Sequence, residues 1–389
     1  MFINLGPVLY YTAGVFTKAM MDDMGWPRGT IASASLPANL AITFLYPVVG
    51  WAVEAFGGRL VSLVSSVMFG LALVALGRFS ANPTAFAILM VVASVAAFGL
   101  TPLPSVQLVS AWFDRQRGFA LSITLALGGI GIAVFPPLGA RLIADFGWRN
   151  AYAALGAIVI VVGTLATLLL VKDPPKDARN RPSTEKAAGE TLSSAIRTWK
   201  FWKLAIAFIA ISIAVSGGAN SLPLILTDSG MSPQRSAFAM SVMGGSMIVG
   251  RLVLARLLDR LFAPRLTASI FLAPALAFSA LLSPLPVAWS SFLAAALLGI
   301  GLGAEVDALG YITSRVYGLA HFGKIFGSLM VAFSLGLGVG PPIFGRIFDA
   351  YRSYNVALWI ALAGAVVASI VMASFEKEDL PHVPVSHGT

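Results

Sequence analysis

Charge is what this chain has least of: Asp, Glu, Lys and Arg make up 11% of its 389 residues, against roughly 25% in soluble proteins. So few charges cannot cover a soluble globule in which 58% of residues are hydrophobic, and that class is excluded. Cysteine is absent, which excludes disulfides and thiolate metal sites and says nothing further about compartment. The three histidines, His321, His382 and His387, fall in a loop and a tail, so no metal or nucleophile constellation forms. The expectation is no enzyme, no metal and no cofactor. A phosphate-binding GxxxxGKS/T run is also missing, so ATP-driven pumping is not encoded in this chain. The net charge of +9 would suit nucleic acid, but the basic residues lie scattered between apolar runs and form no patch. They read as determinants of membrane topology, and no nucleic-acid partner is expected.

What the chain does have is apolar runs separated by short polar turns. A mean hydropathy of +0.85 and runs near the roughly 20 residues of a membrane span predict an all-α polytopic membrane protein embedded in the lipid bilayer. The 38 glycines and 22 prolines suit packed, broken helices better than a barrel, whose strands would alternate in hydrophobicity. The first run, 2–16, is short. Either the true start lies upstream, or Lys18 snorkels outward to complete the helix. Runs at 31–53, 60–76, 85–109, 119–143 and 151–171 make six. The stretch 172–203, with KDPPKDARNRPSTEK near its start, then reads as a solvated linker, and its end, RTWKFWK, as an interfacial anchor. Six more runs follow, at 204–226, 237–258, 266–282, 288–316, 325–348 and 356–373. The expected units are 1–171, a first six-helix bundle; 172–203, the linker; 204–375, a second bundle; and 376–389, a tail. Of the 26 basic residues, 17 fall on the linker side and eight on the other, with Arg251 inside. The linker and both termini are therefore expected to be cytoplasmic.

An internal repeat holds at one offset of 205 residues. Gly50 and Glu54 match Ala255 and Asp259, Gly118 matches Gly323, Gly131 matches Gly336, the prolines at 136 and 137 match those at 341 and 342, Arg141 matches Arg346, and Asn150 matches Asn355. One register kept over so long a stretch implies two homologous halves. An even number of helices in each makes them parallel repeats, a transporter architecture with its site expected between them at mid-membrane.

Between the second and third runs stands GWAVEAFGGR, residues 50–59. It resembles the cytoplasmic loop signature of the major facilitator superfamily, in which such a cluster latches the cytoplasmic side in one state. The candidate latch residues are Gly50, Glu54, Gly57 and Arg59, with Asp259 and Arg260 from the degraded second copy. Two further runs, GGIGIAVFPPLG and SLGLGVGPPIFG, allow close backbone approach and weaken a helix at the prolines. They read equally as flexing elements and as packing surfaces. Together with GWPR at 25–28, WFDRQRGFALSI at 112–123, GWRNAY at 147–152 and GAEVDALGYITSRVYG at 303–318, these motifs resemble the bacterial monocarboxylate-transporter-like branch of that superfamily over nearly the whole chain. The resemblance implies the twelve-helix major facilitator fold, a bacterial inner-membrane location, and a proton-linked or exchange carrier of small organic anions. It also implies that Arg251 occupies the place of an eighth-helix arginine that binds the carboxylate. Met247 and Tyr11 depart from the animal members, which carry an aspartate and a lysine at those places, and the eleventh helix lacks the lysine of oxalate–formate exchangers.

The acidic residues add a second clue, because only Glu305 and Asp307 lie in mid-run, and carboxylates at bilayer depth mark an ion or substrate pathway. Arg251 precedes Arg260 by nine residues and Glu305 precedes Arg315 by ten, about 14 and 15 Å of helix. The three charges should therefore share one level near the midplane. Asp307 is the expected proton-coupling acid, because Tyr311 and Ser314 make its face polar, with Glu305 as the packing acid beside it. Tyr10, Tyr11, Asn220 and Tyr311 join Arg251 as candidate substrate contacts. The function expected is secondary transport of small organic anions, most plausibly monocarboxylates, with protons as the coupling partner. A carrier for another metabolite or a drug, or a membrane sensor that does not transport, are the alternatives.

Overall fold

Apolar runs of this length have one single-segment solution in hydrocarbon, the helix, which pairs its backbone groups within itself. The protein, as a computed structural model, describes residues 2–112, 117–173, 189–258, 260–318 and 320–380, and these are helical almost throughout. A π-turn at Gly6–Tyr10 leads into α1 (Ala13–Met24). Then come α2 (Arg28–Ser33), α3 (Ser35–Phe56), α4 (Gly58–Phe79), α5 (Pro83–Ala96), α6 (Pro102–Trp112) and α7 (Arg117–Ile158). A second π-turn, Val159–Gly163, joins α7 to α8 (Thr164–Leu170). The short α9 (Leu192–Arg197) precedes α10 (Trp199–Asp228), α11 (Pro233–Leu257) and α12 (Ala263–Leu282). The chain continues with α13 (Val287–Tyr317), α14 (Phe322–Tyr351) and α15 (Asn355–Ala373).

Among the described residues, eight helical stretches are long and apolar enough to cross a membrane. The expected count of twelve would require dividing the longest at Gly147 and adding three interrupted segments, 6–24, 28–56 and 83–112. Gly147 has φ 74 and ψ 161, outside helical space, and folds the chain back on itself where a side chain would be strained. The run 85–109 is broken by a 3-10 turn at Phe98–Leu100. There the Gly99 N–H turns to Ser65 Oγ, 3.0 Å away, and Pro102 can donate no backbone bond to the helix before it. The paired prolines at 136, 137, 341 and 342, by contrast, lie inside continuous helices. Starts are set by capping. Asn82 and Ser232 accept the backbone N–H groups of Ala85 and Arg235, with Pro83 and Pro233 at the first helical position, where no N–H is needed.

These helices form two bundles, each around its own core. One core draws on residues from Ile3 to Val159, and the other on residues from Ala195 to Phe375, joined from the first half by buried Ile132 and by Tyr11 packed against it. The bundles meet along three seams, α7 on α11, α14 on α2 and α3, and α1 on α10. Ser241 Oγ donates to the Ala133 carbonyl at 2.5 Å in the first seam, and Ser35 Oγ to the Gly338 carbonyl at 3.2 Å in the second. Large apolar side chains such as Phe79, Leu170, Trp289 and Ile370 stand exposed around the outside, which is stable only against lipid tails. The end of the linker stretch lies along the second bundle: Glu190 N–H donates to the Tyr317 carbonyl at 2.9 Å, and α10 begins at Trp199 rather than at 204.

Candidate functional site

Arg251 on α11 and Asp307 on α13 meet where the two helices cross at glycines. A methyl group at Gly303 would run into the Met247 carbonyl and the Arg251 backbone nitrogen, so these backbones are as close as two helices can be. From there the Arg251 side chain reaches the Gly303 carbonyl, 3.3 Å from Nε, and Asp307 Oδ2, 2.9 Å from Nε. Among the described residues neither Nη makes a hydrogen bond, so the guanidinium is anchored at its inner nitrogen and its terminal fork is uncommitted. Such a fork matches the two oxygens of a carboxylate. The Arg251 side chain is 9% exposed and that of Asp307 29%, which puts the acid on the open side of the pair.

Glu305 lies about 200° around the helix from Asp307. It is 1% exposed, and its Oε1 has no hydrogen-bond partner among the described residues. Tyr11, in the break between the π-turn and α1, packs against the second bundle's core within electrostatic reach of Glu305 and Arg251. Asp307, Glu305 and Tyr11 are thus the expected site residues gathered about Arg251.

The other candidates face elsewhere. The Tyr10 hydroxyl is 3.0 Å from Ser94 Oγ, and Asn220 Nδ2 donates to the Ser216 carbonyl at 2.9 Å. Both line a cavity of ≈ 50 Å³, shared with Thr17, Arg28, Ser35 and Tyr354, whose lining includes none of the three mid-helix charges. Tyr311, one turn beyond Asp307, is turned toward the linker end, where its hydroxyl accepts from Arg315 Nη2 at 3.1 Å. Of the loop cluster, Gly50 lies in α3, and Gly57, at φ 87, links α3 to α4. Arg59 Nη2 donates to the Leu168 carbonyl at 2.8 Å, within the first bundle, and its backbone N–H to Asp173, at the start of the linker stretch, at 3.2 Å. Arg260 sits in the turn after α11, its N–H on the Leu257 carbonyl. Asp259 and the side chain of Glu54 lie outside what is described.

At the end of the bundles away from the linker stands a cluster the sequence reading did not find. Arg28, 5% exposed, places Nη1 and Nη2 on the two carboxylate oxygens of Asp228, and Nη1 also on the Tyr354 hydroxyl at 2.9 Å. Its guanidinium lies 3.7 Å from the centre of the Phe348 ring. Asp349 accepts the backbone N–H groups of Arg28 and Gly29 at 3.0 and 2.7 Å. The available signal was the repeat offset, which places Asp228 on Asp23 and Tyr354 on Arg149.

Comparison with known proteins agrees with this architecture. Residues 5–327 match the family profile described as the Major Facilitator Superfamily. Monocarboxylate transporter 12 of Rattus norvegicus is 25% identical over 341 residues, covering 78% of this chain and 68% of the relative. Monocarboxylate transporter 4 of Gallus gallus is 23% identical over 371 residues, 92% of this chain and 77% of its own. The uncharacterized MFS-type transporter YhjX of Escherichia coli is 23% identical over 333 residues, covering 84% and 81%. Among solved structures, the nucleoside transporter NupG superposes with a TM-score of 0.75 at 14% identity over 95% of both chains. A bacterial homologue of the human lysosomal transporter Spinster gives 0.65 at 17% identity over 95% of this chain and 94% of its own. With two helical bundles, a charged pair between apolar helices and a profile match over most of its length, this chain belongs to the major facilitator superfamily.

Proposed function

We propose that the protein is a secondary transporter of small organic anions of the monocarboxylate class, working by alternating access with proton coupling. The observation that carries this reading is the state of Arg251: buried at a helix crossing, held by Nε to Gly303 and Asp307, with its two Nη groups uncommitted. Substrate carboxylate binding to that fork draws positive charge away from Asp307, which then takes a proton. Loading and protonation are thereby linked. Tyr11 closes the site from the first bundle, and Glu305 fills the core behind it. Two of the sequence relatives are named monocarboxylate transporters, which supports the substrate class.

In the same reading the units 1–171 and 204–375 rock about the site, 172–203 is their cytoplasmic linker and 376–389 a cytoplasmic tail, in a bacterial inner membrane. Gly50, Glu54, Gly57, Arg59, Asp259 and Arg260 close the linker face in the alternate state. The Arg59 side chain is engaged with the Leu168 carbonyl of its own bundle, as suits a linker face that is not latched. Tyr10, Asn220 and Tyr311 line the path on either side of the fork.

A thermal-shift screen of purified protein tests the reading, since a ligand that binds only the folded state raises apparent stability. Short monocarboxylates should raise the melting temperature of the native protein and leave that of Arg251→Gln unchanged. Stabilisation by nucleosides or uncharged metabolites, with no response to organic acids, would overturn the substrate class.

A further inference from the structure

Asp23 and Asp228 hold equivalent places, 205 residues apart, at the ends of α1 and α10, yet their charges are met differently. In the first bundle Asp23 is met from within: Arg149 pairs with it, and Trp148 Nε1 donates to it at 2.9 Å. In the second bundle the position of Arg149 is taken by Tyr354, which has no positive charge. Asp228 is therefore met by Arg28 of the first bundle. The two pairs differ in burial as well. The Asp23 and Arg149 side chains are 45% and 41% exposed, whereas Arg28 is 6% exposed.

We propose that Arg28 and Asp228 form the latch that holds the two bundles together at the face opposite the linker, and that breaking this pair is the opening step on that face. Around the pair, Tyr354, Phe348 and Asp349 make a socket of the second bundle that fits one residue of the first. Gly29 lies against Gly345 with no room for a side chain on either, so α2 seats closely on α14. Beneath the latch the cavity of ≈ 50 Å³ has room for a few water molecules. Two features keep the latch releasable. The Asp228 side chain is still 30% exposed, and the buried Nε of Arg28 has no partner among the described residues. Separating the bundles hydrates both groups and satisfies that nitrogen, which lowers the barrier that a fully paired buried arginine would present.

The latch rests on alternating access and on no particular substrate, so it is tested without one. The chain has no native cysteine, and Ser221→Cys places a thiol, at a position 6% exposed, in the wall of this cavity. Its modification by a membrane-impermeant maleimide, applied to the face opposite the linker, reports how often that face opens. Asp228→Asn and Arg28→Gln should each speed labelling by about tenfold or more. The double variant should be no faster than the faster single, because each charge acts through the other. Arg149→Gln, which breaks the equivalent pair inside one bundle, should leave labelling unchanged. If Arg28→Gln does not insert, Tyr354→Phe removes one support of Arg28 and should give a smaller acceleration. Labelling unmoved by Asp228→Asn, effects of the two charges that simply add, or an equal response to Arg149→Gln would overturn the proposal. Failure of the carboxylate reading would leave all of these rates as they are.

Discussion

Arg251 and Asp307 meet at Nε, 2.9 Å from Oδ2, at a crossing where Gly250 and Gly303 bring the two backbones together. The pair is thus a support for a binding group whose business end points away from it. Arg251→Lys keeps the charge and loses the fork. Losing one charge-assisted hydrogen bond is worth about 1.5–3 kcal/mol, so uptake into proteoliposomes should fall roughly tenfold to a hundredfold at equal protein. Uptake within twofold of native would show that the fork is not used.

Coupling should divide between the two acids according to their contacts. Asp307 is paired and partly open, whereas Glu305 is enclosed. Asp307→Asn is expected to abolish proton uptake on adding substrate while counterflow continues, and Glu305→Gln to do less. The reverse ranking, measured with a pH dye in lightly buffered proteoliposomes, would exchange the two roles. Coupling that survives in the double variant would remove both.

The crossing itself can be probed at Gly303. A valine there would push α13 off Met247 and Arg251, at a cost of about 1–3 kcal/mol for overpacking. The outcome expected of Gly303→Val is a lowered melting temperature together with loss of the organic-acid response. Gly245→Ala, where a methyl group meets nothing within 4 Å, serves as the neutral comparison.

A pH effect is expected at the other end of the second bundle. Burial acts to raise the Asp379 carboxyl, but the Glu376 N–H at 3.0 Å and the Lys200 ammonium at 3.3 Å outweigh it and hold the group below its ordinary 3.8. A lowered folded value means that the stabilisation is fully present above the unfolded value and is lost as pH falls through the folded one. The melting-temperature difference between native protein and Asp379→Asn should therefore be constant from about pH 7 to 5 and shrink steadily as the pH is lowered below about 4. A difference that grows on acidification would contradict the sign.

Much of the fold was legible because hydropathy and a fixed repeat offset are both one-dimensional signals. The helix through Gly58–Phe79 brackets the apolar run 60–76, and α11 and α13 carry the mid-run charges at matching depth. The break at Gly147 falls between the runs 119–143 and 151–171, as expected, whereas departures occur where a glycine acts on the backbone within a run, as at Gly99, or where paired prolines lie inside a continuing helix. The placing of Tyr10 and Asn220 on another cavity was not legible, since helix rotation is set by neighbours rather than by sequence period. Arg28 escaped notice because it lies at a helix end, where a basic residue reads as a topology signal. Its partners are 200 or more residues away.

That separation has a bearing on biogenesis. The first bundle encloses its own core and can finish folding as soon as its last helix is inserted, before residues of the second have been synthesised. Throughout that interval Arg28 has none of Asp228, Phe348, Asp349 and Tyr354 to meet it. An arginine that is buried in the finished protein must wait, solvated at the membrane surface, for the rest of its chain. Its closure marks the moment when a nascent polypeptide becomes an assembled carrier, and a quality-control factor that surveys unpaired charge would have an unpaired arginine to detect until then.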